Sequence, residues 1–374
     1  MKVLFIDQIA KVNYKYSFSL VNALNEKECN ITLVIDQKKE PENCKVNRIN
    51  LFNTDEKDIS KISKLNNYYR SYKEIIKLVE FEKYDILHIQ WTIFSPLDFY
   101  FLNKIKKKYK TKLIMTIHDI LPFNKKIYDK FFHEKIYSLA DHLIVQAENN
   151  VNRFKKIFPN NKAKISMIPH GHLMNYANII DKKTARQYFN IDEKKFVFLF
   201  FGQIKKVKGL GILLEAYSKI FKSYPNTLLV VAGSVWKDSF EQYKKIIEKN
   251  ELQKQLLLNI KYIPDEEVKY YYSSADICVL PYLDVYQSGV IQLAYAYKKP
   301  VIASDIGAFK EVVLDGETGY LSKVADDNEL SQIMIKSIEE KNRLSVMGEL
   351  GYKFIKNKYS WGKIAEKIIS KYTT

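Results

Sequence analysis

Short apolar runs alternate with longer stretches in helical phase along most of the chain. KVLFI (2–6) and ITLVI (31–35) are near-continuously apolar, and SFSLVNALNE (17–26) between them carries its apolar residues at helical spacing. The pattern repeats with strand-like DILHI (85–89), KLIMTI (112–117), HLIVQ (142–146) and ISMIP (165–169), separated by helical stretches such as 69–83 and 97–109. Strand–helix–strand units whose strands are apolar on both faces predict a parallel sheet covered on both sides. Residues 170–195 are polar and predict no strand. Beyond them the alternation resumes: FVFLFFG (196–202), a helix over 212–221, TLLVVAG (227–233), a helix over 237–250, LNIKYI (258–263), ICVLPY (277–282), a helix over 290–297, PVIAS (300–304) and GYLS (319–322). Two doubly wound α/β domains in tandem, joined near residue 172, are the expectation. Open parallel sheets bind ligands at the carboxyl ends of their strands, so two such domains are expected to face a shared cleft.

Length and composition agree with two packed domains. The chain has 374 residues, 47% hydrophobic and 14% aromatic, which points away from disorder. No apolar run reaches the roughly 18 residues of a membrane span. The opening MKVLFIDQ, a single Lys ahead of a short apolar run that ends on Asp, reads as a first strand rather than a signal peptide. Cys29, Cys44 and Cys278 are scattered without metal or disulfide spacing, which suggests a reduced, cytoplasmic setting. The net charge of +17 is concentrated in residues 1–172, where 30 Lys and Arg stand against 19 Asp and Glu. Lys104, Lys106, Lys107, Lys108, Lys110 and Lys112 form one dense run, and Lys61, Lys64, Arg70, Lys73 and Lys77 another. Such a surface is either simply solvated or attracted to anions, a phospholipid leaflet or a phosphate-bearing substrate among them. No nucleic-acid-binding signature accompanies the charge, so nucleic acid is not expected as a partner.

Four short stretches carry candidate chemistry. In FFGQIKKVKGLGILLEAY (200–217) a strand ends at Gly202, and Lys205, Lys206 and Lys208 lie on the loop before a helix. Lysines beside a helix N-terminus, with its free N–H groups and positive dipole end, attract an anion; a solvated turn would look the same. In QSGVIQLAYA (287–296), Ser288 caps a helix and Gly289 permits close backbone approach, so the N–H groups of Gly289 and Val290 suit a phosphate. A diphosphate is the natural shared ligand of two such loops. His118 and Asp119 follow a strand directly in TIHDILPF (116–123), where a His can donate to developing charge or move protons and an Asp can act as a base. His170 and His172 flank Gly171 at the expected hinge. They lack a third ligand at metal spacing, and a substrate contact fits better.

These residues together resemble the GT-B-fold glycosyltransferases, in the neighbourhood of glycosyltransferase family 4. The resemblance is strongest over 196–322, through FGQIKKVKGLGILLEAY, LLVVAGS, SADICVLPY and KKPVIASDIGAFKEVVLDGETGYL, and continues more loosely over 1–175. YSWGKIAEKIISKY (359–372) resembles the family's terminal helix that crosses back to the first domain. The resemblance therefore implies an acceptor-binding domain of residues 1–172 plus about 360–374, and a donor-binding domain of residues 173–359. It implies a nucleotide diphosphate sugar as donor and no cofactor or metal. The implied acceptor is a hydroxyl of a glycan, carried on a lipid such as a polyprenyl diphosphate, at the inner face of the plasma membrane. Lys208 matches the family's diphosphate-binding Lys, and Ser288 and Gly289 match its phosphate-binding step. Tyr262 and Ile263 match the segment that meets the base, and His118 matches a His that contacts the transferred sugar. Gln203 stands where an Arg commonly follows the loop glycine, with Lys205 in reach to replace the charge as a point charge rather than a fork.

The main departure lies in the helix after Ser288. Many members carry two Glu eight positions apart; the aligned residues here are Tyr286 and Ala294. Ribose binding is then expected from Gln292 or Glu311. Asn13, Tyr14 and Lys15 replace the usual Gly-rich turn after the first strand and line either the acceptor side or a plain turn. Retention of anomeric configuration, assisted by the leaving diphosphate, is favoured over inversion, for which Asp119 is the first-choice base. A sugar-nucleotide epimerase of the same fold and an inactive scaffold are the alternatives.

Overall fold

The computed structural model describes residues 1–36, 44–52, 60–122, 126–286 and 289–374. They form two compact units, Met1–Gly171 with Tyr359–Thr374, and His172–Lys358.

The first unit is built on strands β1 (Lys2–Asp7), β2 (Asn30–Ile35), β3 (Asn47–Asn50), β4 (Ile86–Ile89), β5 (Lys112–Ile117), β6 (His142–Val145) and β7 (Lys164–Met167). They pair in the order β3-β2-β1-β4-β5-β6-β7, all parallel. The connections carry helices α1 (Ala10–Asn25), α2 (Lys61–Glu82), α3 (Ser95–Lys108), α4 (Asp129–Leu139) and α5 (Glu148–Ile157). A parallel neighbour demands a crossover, and a sheet covered on both faces wants unbroken apolar strands; β1, β4, β5 and β6 supply them. β3 (NRIN) is short, polar and at the edge, so periodicity does not reveal it.

The second unit continues with α6 (Lys182–Tyr188), β8 (Phe196–Phe201), α7 (Leu210–Ser218), β9 (Thr227–Ala232), α8 (Glu241–Lys249), β10 (Leu256–Asn259), α9 (Asp265–Ser274), β11 (Ile277–Leu280), α10 (Gly289–Ala296), β12 (Val301–Ser304), α11 (Gly307–Lys310), β13 (Gly319–Ser322), α12 (Asp327–Glu339) and α13 (Lys341–Lys358). Its parallel sheet runs β10-β9-β8-β11-β12-β13. α6 lies inside the stretch that reads only as polar. Asp181 caps it by accepting from the Thr184 N–H, and its Arg186 is buried, donating to the Glu193 and Ser274 carbonyls and pairing with Asp276 at 2.9 Å. β10 ends at Asn259, earlier than the apolar run 258–263 suggests, because Pro264 opens α9 directly afterwards.

From Tyr359 the chain rejoins the first unit as α14 (Trp361–Thr373). α14 packs on α1, with Trp361, Ile364, Ala365, Ile368 and Tyr372 buried in one core with Phe5, Phe18 and Ile114. Gly171 makes this docking possible: a Cβ there would stand 2.3 Å from the Trp361 ring.

Candidate active site

In each sheet the chain first builds outward on one side and then jumps back across its starting strand. The switch falls between β1 and β4 in the first unit and between β8 and β11 in the second. Flanking loops diverge at such a point and leave a crevice at the carboxyl ends of the strands.

In the second unit the loops after β8 and β11 lock together. Leu283 N–H donates to the Val207 carbonyl (2.8 Å). Gly209, at φ +68°, backs so closely onto Pro281 that a Cβ would lie 1.9 Å from its carbonyl oxygen. Only glycine takes both the left-handed turn and the contact. The lock carries Lys208 into the crevice. Its ammonium lies 5.1 Å from the centre of the Tyr282 ring and 3.2 Å from where a Gly202 side chain would begin; Val290 Cγ2 is 3.4 Å from the same point. Among the described residues the ammonium has no hydrogen-bond or ion-pair partner. Burial pulls its pKa from 10.5 down to about 8. Phe309 of α11 packs on the other partner of this contact, 5.2 Å from Tyr282.

Other sequence-predicted donor residues are spread around this point. Gly289 and Val290 form the first turn of α10, whose N–H groups lack intrahelical acceptors. Ser288 lies outside the described residues. Lys205 and Gln203 are half-buried on the loop. Gln292 is buried in α10 and its Oε1 has no hydrogen-bond partner. Ala294 and Tyr286, at the positions that often hold glutamates, are both buried. Tyr262 is 73% exposed and Ile263 buried on the loop after β10. Glu311 caps the C-terminus of α11 and is half-buried; its carbonyl accepts from Lys358.

In the first unit His118 directly follows β5 and is 2% exposed. Its ring stacks on Trp91 (4.6 Å, 9°) and meets Tyr16 edge-on (5.0 Å). Nε2 bonds Gln90 Oε1 at 2.9 Å. Burial pushes its pKa down to about 3, so the imidazole is neutral at physiological pH. A neutral imidazole can still donate through one ring N–H and accept through the other nitrogen. Asp119, next in the chain, is half-buried. Both line a pocket with Gln90, Trp91, Thr92 and His133.

One expectation is corrected here. Asn13, Tyr14 and Lys15 form no turn after β1: α1 already starts at Ala10, so they sit half-buried within it. Asn13 reaches back to Asp7 Oδ2 (3.5 Å). His170 and His172 are divided between the units; His170 is buried under α14, 4.9 Å from the Tyr16 ring, with Nδ1 donating to the Gly171 carbonyl. Sequence reading also missed Gln90, Trp91 and Gln146. Their only signal is a polar or aromatic residue directly after a buried strand. Among the described residues no three His, Cys, Asp or Glu converge as metal ligands, and no helix is long and apolar enough to cross a membrane.

Paired parallel α/β units, with an anion-attracting loop at the switch point of the second, are the architecture of GT-B glycosyltransferases. The family Glycosyl transferases group 1 matches residues 181–354, and Glycosyltransferase Family 4 matches residues 15–172. The lipopolysaccharide 1,2-N-acetylglucosaminetransferase of Salmonella typhimurium is 27% identical over 321 residues, 78% of this chain and 82% of that relative. The fold matches the sucrose-phosphate synthase of Thermosynechococcus elongatus (TM-score 0.79, 18% identity, 100% of this chain and 98% of that one) and Anabaena HepE in complex with UDP (0.76, 16%, 99% of each). The chain belongs to the GT-B-fold glycosyltransferases of the family 4 type and is an enzyme of that class.

Proposed function

We propose that the protein transfers a sugar from a nucleotide diphosphate sugar to a hydroxyl of a glycan in bacterial polysaccharide or glycoconjugate biosynthesis. The observation that carries this reading is Lys208: a lone ammonium, held on the Tyr282 ring at the switch point of the second unit, beside the first turn of α10. A diphosphate is the partner such a charge lacks. Lys208, Lys205 and the N–H groups of Gly289 and Val290 stabilise the charge that grows on the leaving diphosphate as its bond to the anomeric carbon breaks. Ser288 and Gln203 complete this loop pair, and no metal is required. Tyr262 and Ile263 meet the base; Gln292, with its uncommitted oxygen, is favoured over Glu311 for the ribose. The acceptor oxygen forms the new bond to the anomeric carbon. In a retaining course its proton passes to the departing diphosphate on the same face; in an inverting one Asp119 takes it. The relative that acts on lipopolysaccharide and that bound to UDP agree with this class of substrates.

The acceptor belongs to the first unit and is carried on a lipid, polyprenyl diphosphate being the type. Lys61, Lys64, Lys104, Lys107 and Lys110 have no carboxylate partner among the described residues, whereas Lys77, Lys106 and Lys108 are paired with Glu74, Asp141 and Glu80. Exposed Ile62 and Leu65 stand beside the unpaired lysines of α2. This supports peripheral contact with an anionic membrane on the cytoplasmic side. The test is a panel of nucleotide sugars with lipid-linked glycan acceptors. Product that depends on both substrates, lost in Lys208→Ala, is expected; epimerised donor without transfer, or turnover unchanged in Lys208→Ala, would overturn the reading.

A further inference from the structure

Another cavity of the first unit, of about 360 Å³, shares no residue with the pocket around His118. Side chains alternate along a strand, so Lys164 and Ser166 leave β7 on one face. Ile168 continues that alternation, because its N–H still bonds the Val145 carbonyl of the neighbouring strand (2.8 Å). It is buried in one core with Ile364 and Ile368, so this is the face that α14 covers. β7 is the last strand of its sheet, and the cover over it is partial: Ser166 is half-buried and Lys164 exposed. The groove that remains has Ser166 and Ile168 on its strand side, Lys367, Ser370 and Lys371 on its helix side, and Glu148 of α5 at its rim. Its volume falls within the ~300–1,000 Å³ usual for small-molecule sites.

Charge around this groove does not balance. Lys367 and Lys371 stand one turn apart on α14, where like charges repel. Among the described residues neither has an ion-pair partner, and nor has Lys164. The Lys112 ammonium, close by, donates to the Tyr372 carbonyl at 3.2 Å. Glu148 is the one carboxylate in the lining, and it has an interaction of its own. His142 registers the resulting field. It is buried and bonded through Nε2 to Ser166 Oγ (2.9 Å). Burial first, and then Lys371, Lys112 and Lys164, push its pKa from 6.5 down to about 4, with no carboxylate acting against them. An ammonium has donors and no acceptor. A cation would be repelled here, and an uncharged sugar would leave the lysines unneutralised. A phosphate group brings up to two charges and several acceptor oxygens to one point, which is what lysines on two facing elements can share.

We propose that the groove between β7 and α14 binds the phosphate group of a phosphoester, held by Lys367 and Lys371 from the helix and by Lys164 and Ser166 from the strand, so that the ligand ties the C-terminal helix to the edge of the sheet. The site is separate from the donor loops of the second unit and stands whether or not the reading of those loops holds. Its phosphate belongs either to a soluble ester or to a phospholipid headgroup. Full-length protein is melted with rising inorganic phosphate, and with glycerol 3-phosphate, against sodium chloride of equal ionic strength. A ligand of the folded state raises the melting temperature, and a rise of about 2–4 °C is expected in the parent. It should persist in Lys208→Ala and vanish in the double variant Lys367→Gln/Lys371→Gln. Without phosphate the double variant should melt at or above the parent, since it relieves a repulsion, so a lost response is not lost folding. Nitrogen-15 NMR of histidine-labelled protein gives the location: the ring signals of His142 should move with phosphate, and those of His133, on α4, should stay. The source follows from comparing glycerol 3-phosphate with short-chain phosphatidylglycerol. A headgroup site responds at the lower concentration to the lipid, and a site for soluble esters to glycerol 3-phosphate; either supports the proposal. No rise in the parent, a rise that survives in the double variant, or a rise that leaves His142 unmoved would overturn it.

Discussion

Lys208→Met removes one charge and keeps most of the aliphatic stem, and it is expected to change stability and binding in opposite directions. Burial draws the ammonium's pKa from 10.5 to about 8. A difference of that size corresponds to ~3 kcal/mol of penalty on the charged form at pH 7. The side chain is only part-buried, and water screening reduces the usable figure to ~1–2 kcal/mol. The Tyr282 face returns ~0.5–1 kcal/mol through its cation–π contact. The variant should therefore gain ~0.5–1 kcal/mol of stability, about 1–4 °C in melting temperature for a unit of this size. Turnover should move the other way, by ~10²–10³, because the ammonium opposes charge on the leaving diphosphate. The sign with pH is a second check. The unfolded lysine holds its proton up to 10.5 and the folded one releases it near 8, so between these values the unfolded state binds more protons. The parent then gains stability as pH climbs from about 8 to 10.5. Lys208→Met lacks that rise, and its advantage over the parent shrinks across the same window. Scanning calorimetry at pH 7 and pH 10, with titration of UDP, ADP and GDP, reads all of this. A variant that melts lower at pH 7 and still binds nucleoside diphosphates as the parent does would refute the reasoning.

Three further substitutions probe the frame around this charge. Gly209→Ala drives a Cβ into the Pro281 carbonyl at a positive φ; it should destabilise the second unit by ~2–4 kcal/mol in urea unfolding, and a neutral result would mean the two loops are not locked. Ala294→Glu places a carboxylate at a fully buried position; a loss of ~3–5 kcal/mol with no gain in donor affinity is expected, whereas improved donor binding would show that the site still accommodates the family's glutamate. Trp361→Ala empties the contact with Tyr16, His170 and Gly171. It should cost about 3–5 kcal/mol and expose α14 to limited proteolysis, and a protease-resistant C-terminus would speak against this anchor.

Much of the frame was readable in the residues because parallel strands buried on both faces are apolar throughout. β1, β5, β8 and β9 could hardly be anything else. Edge strand β3 is polar on a solvated rim, and α6 is held by a cap and a buried Arg rather than by an apolar stripe. Both therefore left no periodic trace. Lys208 was legible because Gly202, Gly209 and the lysines between them form a local pattern. The surroundings of His118 were not: Gln90 and Trp91 follow β4, His118 follows β5 and Gln146 follows β6, and they meet only because these three strands are neighbours. Asn13 to Lys15 misled because the turn after β1 is only two residues long and the helix claims what comes next.

The bond between Tyr372 and His88 joins residues 284 positions apart. It gives the first unit an order of assembly. Its sheet can form as soon as β1 to β7 exist, since each crossover closes over a modest stretch of chain. The bond to His88 cannot, because Tyr372 is made only after the whole second unit has been synthesised. Closing so long a loop adds little to the entropic cost beyond a shorter one, but it sets a sequence in time. The core that Trp361, Ile364, Ile368 and Tyr372 share with Phe5 and Phe18 stays open until then, and the arrival of α14 is the step that closes it.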